Sequence, residues 1–228
     1  MLGIIGAMGV EVAAVVGEMT DRQEHTVSGV TYYTGTFCGK EIVVAQCGVG
    51  KVFAGICAQT MILKFNVSHI INIGVGGSLD DRLNVCDIGI ADGVVQHDMD
   101  TTPLGDPLGF LSGIDKVEIE CDRAFCDTIE TAAKTLGINC VRGIIASGDC
   151  FVGDSDKKKS VADTFNAIVC EMEGGAIGQV CYINGIPFNV IRAVSDKADG
   201  SADISFEKFT ALAVEQSIKL LKEVMKSI

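Results

Sequence analysis

Val190-Ile191-Arg192-Ala193-Val194-Ser195-Asp196 closes an apolar run that begins at Pro187, carries one arginine in its middle and ends in a hydroxyl and a carboxylate. A run this short and this apolar reads as a strand buried on both faces, as parallel sheets require. In open α/β sheets, ligands collect at the carboxyl ends of such strands. Ser195 and Asp196 stand at that end, so one heptapeptide predicts both an architecture and the edge that carries its chemistry.

The same pattern recurs along the chain. Residues 2–6, 69–73, 139–146 and 167–170 read as further buried strands. Helical patterns follow the first strand to about residue 19, and then span 52–65, 122–136, 155–165 and 174–182, with a last helix running to about 226. Asp154 and Ser155 offer a cap for the helix ending near 165, and Ser205 one for the last helix. Residues 31–37 and 41–47 read as a hairpin through Cys38-Gly39-Lys40. Residues 74–78 read as a glycine-rich turn, 85–91 and 94–98 as two strands, and 100–113 as a long loop. Strand–helix alternation predicts the α/β class with a mixed, mainly parallel sheet, antiparallel near residues 31–47. No linker or internal repeat divides the chain, so a single domain over 1–228 is the simplest count.

The 228 residues are 48% apolar and carry a net charge of −12; mean hydropathy is +0.37. No apolar run approaches the roughly 18 residues that span a bilayer. The start reads as a strand and lacks the basic flank of a signal peptide. The negative charge argues against a nucleic-acid partner, because a phosphate backbone needs a basic surface. Ten cysteines are scattered, several inside apolar runs, with no CxxC. They read as reduced core thiols of a cytoplasmic protein. Only three histidines are present, and none stands at finger spacing from the closest cysteine pair, Cys121 and Cys126, so no metal site is expected.

Two glycine motifs fall short of known fingerprints. Gly74-x-Gly76-Gly77 has Leu79 where the dinucleotide motif needs its last glycine. Gly48-Val49-Gly50-Lys51 lacks the first glycine and the hydroxyl of a P-loop. More informative are five acids close to strand ends: Glu11, Asp149, Glu171, Glu173 and Asp196. A lone acid there is usually a cap; several at one sheet edge, with an arginine, point to a site. If its strand persists, Glu171 and Glu173 face the same side. Phe151 and Phe206, taken singly, read first as core packing; beside a carboxylate-lined crevice such a flat apolar face is also what a purine stacks on. His97-Asp98 reads as structural, Lys157-Lys158-Lys159 as a solvated face, and 201–203 as a surface loop.

Ile4-Ile5-Gly6-Ala7-Met8-x-x-Glu11, Gly48-Val49-Gly50-Lys51-Val52, Ile71-Asn72-x-Gly74, Ser147-Gly148-Asp149-x-Phe151, Glu171-Met172-Glu173 and Arg192-Ala193-Val194-Ser195-Asp196 together make the chain resemble the nucleoside phosphorylase/hydrolase family over nearly its whole length. Each segment alone is weak; the combination is specific. The resemblance implies a three-layer α/β/α domain with a central mixed, mainly parallel twisted sheet, and no cofactor or metal. It implies hydrolysis of the N-glycosidic bond of 5′-methylthioadenosine and S-adenosylhomocysteine, with 5′-deoxyadenosine as a further substrate.

In that scheme Asp196 protonates adenine at N7, which makes the base a neutral leaving group. Glu11 holds and deprotonates the attacking water, and Arg192 helps place it and orients nearby carboxylates. Glu173 accepts from the ribose hydroxyls beside the backbone of Met172, close to the positive charge that develops on the sugar. Phe151 stacks on adenine and the backbone of Val152 pairs with its edge. Met8, Val49 and Phe206 line the ribose and 5′ side, while Val75, Gly76 and Ser195 border the substrate. Better-known family members carry a serine where this chain has Val75, so water placement falls to Glu11 and Arg192. A homodimer is implied, with Thr101 and Leu104 reaching the 5′ pocket of a neighbouring subunit. Three other readings remain: a phosphorylase of the same fold, a nucleosidase for another purine nucleoside such as a futalosine-type compound, and a binding module without catalysis.

Overall fold

In the computed structural model the chain is described for residues 1–198 and 202–228, the side chains of 202–208 excepted. The strand expected near 190–196 is β10, Phe188–Asp196, and all nine of its residues are buried. It pairs in parallel with β5 (His69–Ser78) and antiparallel with β6 (Ile88–Gln96). β6 continues in parallel to β8 (Cys140–Ser147), and β8 to β9 (Ala167–Glu171). β9 then meets the far end of β5 through Gly77 and Ser78. Five strands thus close into a ring. From β5 the sheet runs on in parallel through β1 (Leu2–Gly6) and β4 (Lys40–Gln46). It ends in antiparallel β3 (Val30–Phe37) and β2 (Thr20–Val27), while β7 (Glu118–Glu120) adds to β6.

Helices cover both faces of this mixed, mainly parallel sheet, giving three α/β/α layers. α6 (Ala202–Ser227) packs against β10, α1 (Gly9–Glu18) and α3 (Arg123–Thr135). α2 (Lys51–Phe65) and α5 (Gly174–Asn184) pack on each other, and α4 (Ser155–Phe165) lies against β8 and β9. Ile4, Ile5, Val43, Val44, Val190, Ile191 and Val194 are fully buried. Burying each such side chain stabilises the fold by about 1.5–3 kcal/mol, which is why these strands read as unbroken apolar runs.

The structure corrects several local expectations. Residues 74–78 are not a turn: β5 runs straight through them. Glycine is needed there because neighbours crowd in. A Cβ on Gly74 would lie 2.9 Å from Glu11 Oε1, one on Gly76 2.6 Å from Val169 Cγ1, and one on Gly77 3.0 Å from Asp196 Oδ1. Residues 88–96 form one strand, with a register shift between Ala91 and Gly93, where two strands were expected. The last helix begins at Ala202, so Ser205 lies inside it and does not cap it; the loop expected at 201–203 falls partly in that helix and partly outside the described residues. β2, of sequence TDRQEHTV, was not anticipated. It is almost wholly exposed, so it carries no apolar alternation to read; polar, charged edges of this kind deter unwanted strand pairing.

Candidate active site

At the carboxyl edge of the ring lies a cavity of about 280 Å³. Met8, Glu11, Val49, Val75, Gly76, Phe151, Val152, Met172, Glu173, Ser195 and Asp196 all line it, joined by Ala7, Gly77, Cys150, Cys170 and Glu171. Eleven of the expected site residues therefore converge from six separate stretches of chain. Phe206 lies outside the described side chains. Thr101 and Leu104 do not line the cavity: Thr101 Oγ1 donates to Asp106 Oδ2 at 2.8 Å, and Leu104 is 82% exposed.

Glu11 sits in the first turn of α1, where the unpaired N–H groups of a helix start favour a carboxylate. Its Oε2 accepts from the N–H of Ala7 at 2.7 Å and of Met8 at 2.8 Å. Its Oε1 accepts from the N–H of Val75 at 3.2 Å. Position 75 thus supports Glu11 through its backbone although its side chain has no hydroxyl. Burial pushes the Glu11 carboxyl above its ordinary value against these hydrogen bonds and the nearby Arg192 charge. A buried carboxylate held in this way is suited to take up a proton.

Glu171 and Glu173 do not share a side, because β9 stops at Glu171. Glu171 folds back over the start of α5, accepting from the N–H of Glu173 at 3.0 Å and of Gly174 at 2.8 Å. It also accepts from Ser147 Oγ and Arg192 Nη2. Glu173 instead accepts from the N–H of Gly50 at 2.8 Å. Burial, Glu171 and Glu11 together raise its carboxyl to about 7, although Arg192 and the Gly50 N–H act the other way.

Arg192 is 1% exposed and does not line the cavity. Its guanidinium is committed to Asn72 Oδ1 at 2.5 Å, the Ile191 carbonyl at 3.0 Å and Glu171, with Glu173 Oε2 at 3.7 Å. It stands behind the carboxylates and holds them, since one buried cation among several buried acids reduces their mutual repulsion. Asn72 and Ser147, for which sequence reasoning found no role, are the fixed points of this arrangement. Asn72 Nδ2 donates to the Ile5 carbonyl at 2.9 Å, and Ser147 Oγ accepts from the Gly175 N–H at 2.6 Å. Both are wholly buried polar residues, Asn72 within β5 and Ser147 at the end of β8; an unusual polar residue in or beside an apolar run was the only signal available.

Asp196 faces the cavity from the end of β10 and is 3% exposed. Its Oδ2 accepts from Ser195 Oγ and its Oδ1 from the Ala198 N–H, both at 2.8 Å. Phe151 projects at the mouth, 57% exposed, above buried Val152. Burial pushes the Cys170 thiol up to about 12, so it is a neutral part of the wall. Among the described residues no lysine or arginine lines the cavity, and no group of three or more His, Cys, Asp or Glu side chains could hold a metal ion. No helix among them is long and apolar enough to cross a membrane. The arrangement offers an apolar slot with acids on the α1, α5 and β10 sides, suited to proton transfer around a flat, largely uncharged ligand.

Comparison with known proteins agrees with this geometry. A 5′-methylthioadenosine/S-adenosylhomocysteine nucleosidase of Staphylococcus haemolyticus is 41% identical over 227 residues, covering 99% of both chains. The solved structure of the same kind of nucleosidase from Neisseria meningitidis, in complex with methylthio-immucillin-A, superposes with a TM-score of 0.96 at 34% identity, over 100% of this chain and 99% of that one. A futalosine hydrolase structure from Helicobacter pylori superposes with a TM-score of 0.95 at 34% identity, over 100% and 97%. The family model of the phosphorylase superfamily matches residues 1–226. With its ring-closed sheet, its acid-lined cavity and these full-length likenesses, the chain belongs to the phosphorylase superfamily.

Proposed function

We propose that this protein hydrolyses the N-glycosidic bond of 5′-methylthioadenosine and S-adenosylhomocysteine, and of 5′-deoxyadenosine, releasing adenine. The observation that carries this reading is the convergence of Glu11, Glu173 and Asp196 on one apolar cavity that, among the described residues, no cationic side chain lines. Phosphate as nucleophile needs cationic partners; water needs a base, and Glu11 supplies one. Asp196 donates its proton to adenine N7, the base departs neutral, and Glu11 takes the proton of the attacking water. Glu173 accepts from the ribose hydroxyls next to the Met172 backbone and faces the charge that develops on the sugar. Phe151 covers the purine, Val152 meets its edge, and Val75, Gly76 and Ser195 border it. Met8 and Val49 line the 5′ side. Arg192 is a positioning residue for the carboxylates.

The test separates chemistry from binding. Asp196→Asn and Glu11→Gln should each lower turnover by about 10²–10⁴-fold, while methylthio-immucillin-A still binds by calorimetry. Near-normal turnover in Asp196→Asn refutes its role, and parallel loss of binding and turnover makes Glu11 structural. The likeness to a futalosine hydrolase favours a second reading, in which a 6-oxo purine nucleoside is also cleaved; comparing adenosine-type with inosine-type substrates decides it.

The chain also acts as a homodimer in this reading. Leu104 is exposed on a 3-10 turn, Thr102–Leu104, and Val49, Val52 and Phe53 expose apolar surface beside the cavity. Thr101 and Leu104 of the partner subunit would complete the 5′ side; a monomer by analytical ultracentrifugation contradicts this. All ten cysteines are free, in keeping with a reducing, cytoplasmic location.

A further inference from the structure

Three features of the sequence have no part in the proposed reaction: Lys51 after Gly48-x-Gly50, the His97-Asp98 pair, and Asp149. The fold brings them together beside the cavity. Lys51 Nζ donates to Asp98 Oδ1 at 2.6 Å and to Gln96 Oε1 at 3.2 Å. Asp98 Oδ2 accepts from the Asp149 N–H at 2.8 Å, and Asp149 Oδ1 accepts from the Lys51 N–H at 2.8 Å. These contacts form a closed cycle. Its two sides lead directly into the site: Gly50, next to Lys51, donates to Glu173, and Asp149 precedes Phe151 and Val152 of the cavity wall.

The placement of charge argues against an incidental surface pair. Lys51 is the first residue of α2, where the helix dipole disfavours a cation; Asp98 offsets it. The two side chains are only 19% and 25% exposed. Burial pushes the Asp98 carboxyl up, but Lys51 and the Asp149 N–H outweigh it and hold the group below the usual carboxylate range. Beneath the cycle, His97 is buried with neither ring nitrogen hydrogen-bonded among the described residues. A Cβ on Gly148 would collide with its ring. The loop therefore rests on the imidazole below and is tied by Asp98 at its side.

We propose that Asp98, together with Lys51, is a positioning residue that ties the purine-facing wall at 150–152 to the Gly50–Glu173 contact, so that the base and sugar sites are presented as one rigid unit. The inference rests on the nucleosidase reading for the identity of the ligand, but not for the tie itself.

Asp98→Asn keeps the shape while removing the charge and one acceptor, and Lys51→Met removes the other half. In either variant, KM for 5′-methylthioadenosine should rise about tenfold with kcat changed less than about threefold, and the double variant should be no worse than the poorer single one. In the substrate-free protein, amide hydrogen exchange over residues 148–152 should accelerate at least about tenfold while the core strands stay protected. Unchanged exchange at 148–152, exchange accelerated throughout the molecule, or additive effects on KM would each overturn the proposal. If Asp98→Asn fails to fold, Lys51→Met supplies the same readouts. Accelerated local exchange in a protein whose wild type releases no adenine would overturn the nucleosidase reading and leave the tie standing.

Discussion

Replacing Glu173 by glutamine should make the free protein more stable at alkaline pH and a poorer enzyme. Glu173 is 6% exposed, and its carboxyl lies at about 7 against an ordinary 4.5. That difference is a penalty of about 3 kcal/mol on the ionised form in the folded state. The sign follows from linkage. At pH 4 and below, the group is protonated in both folded and unfolded chains, and the wild type suffers no penalty. As pH rises from 4.5 to 7 the unfolded chain ionises first, and the folded state loses relative stability. Above pH 8 both are ionised and the full penalty is present. Glutamine keeps the shape and an oxygen for the Gly50 N–H but never ionises. The assay is urea denaturation of both proteins from pH 4 to 8.5. The pH-dependent part of the difference should grow through that window to about 3 kcal/mol in favour of Glu173→Gln, while adenine release falls. A difference flat across the window, or one favouring the wild type as pH rises, refutes the reasoning that repulsion and burial at this site are retained for catalysis.

Two further outcomes follow from the geometry. Val75→Ser should change turnover by less than about threefold, because three backbone N–H groups, one of them from residue 75, already hold Glu11; a gain above tenfold in a steady-state assay would show that a hydroxyl was the missing part. Gly76→Ala should cost about 2 kcal/mol, read as a lower urea midpoint, since its Cβ would lie 2.6 Å from Val169 Cγ1 and 2.9 Å from the Cys170 carbonyl; an unchanged midpoint would contradict the close packing of β5 on β9.

The elements that sequence made legible are those whose signal is local. β1 and β10 are apolar runs of the expected length, and α4 starts at the cap offered by Asp154, which accepts from the Lys157 N–H at 2.8 Å. Glu11 and Asp196 could be placed because each follows such a strand. What remained hidden depends on partners distant in sequence. The glycines of β5 resemble a turn until the side chains of Glu11, Val169 and Asp196 are seen to occupy the space. The closing of β9 onto β5 involves residues about ninety apart and leaves no periodic trace. Glu171 and Glu173 diverge because the strand ends between them, and the chain's spacing alone does not mark that end. Lys158, read as solvated, donates to the Lys197 carbonyl at 2.6 Å, a contact that only the fold creates.

The most direct measurement is adenine release from 5′-methylthioadenosine by the purified protein, with and without inorganic phosphate, with the sugar product identified by mass. The cavity's carboxylates and the lack of lining cations among the described residues predict equal rates in both conditions and 5-methylthioribose as the product. A requirement for phosphate, with a sugar 1-phosphate formed, would contradict the assignment of Glu11 as the base that activates water.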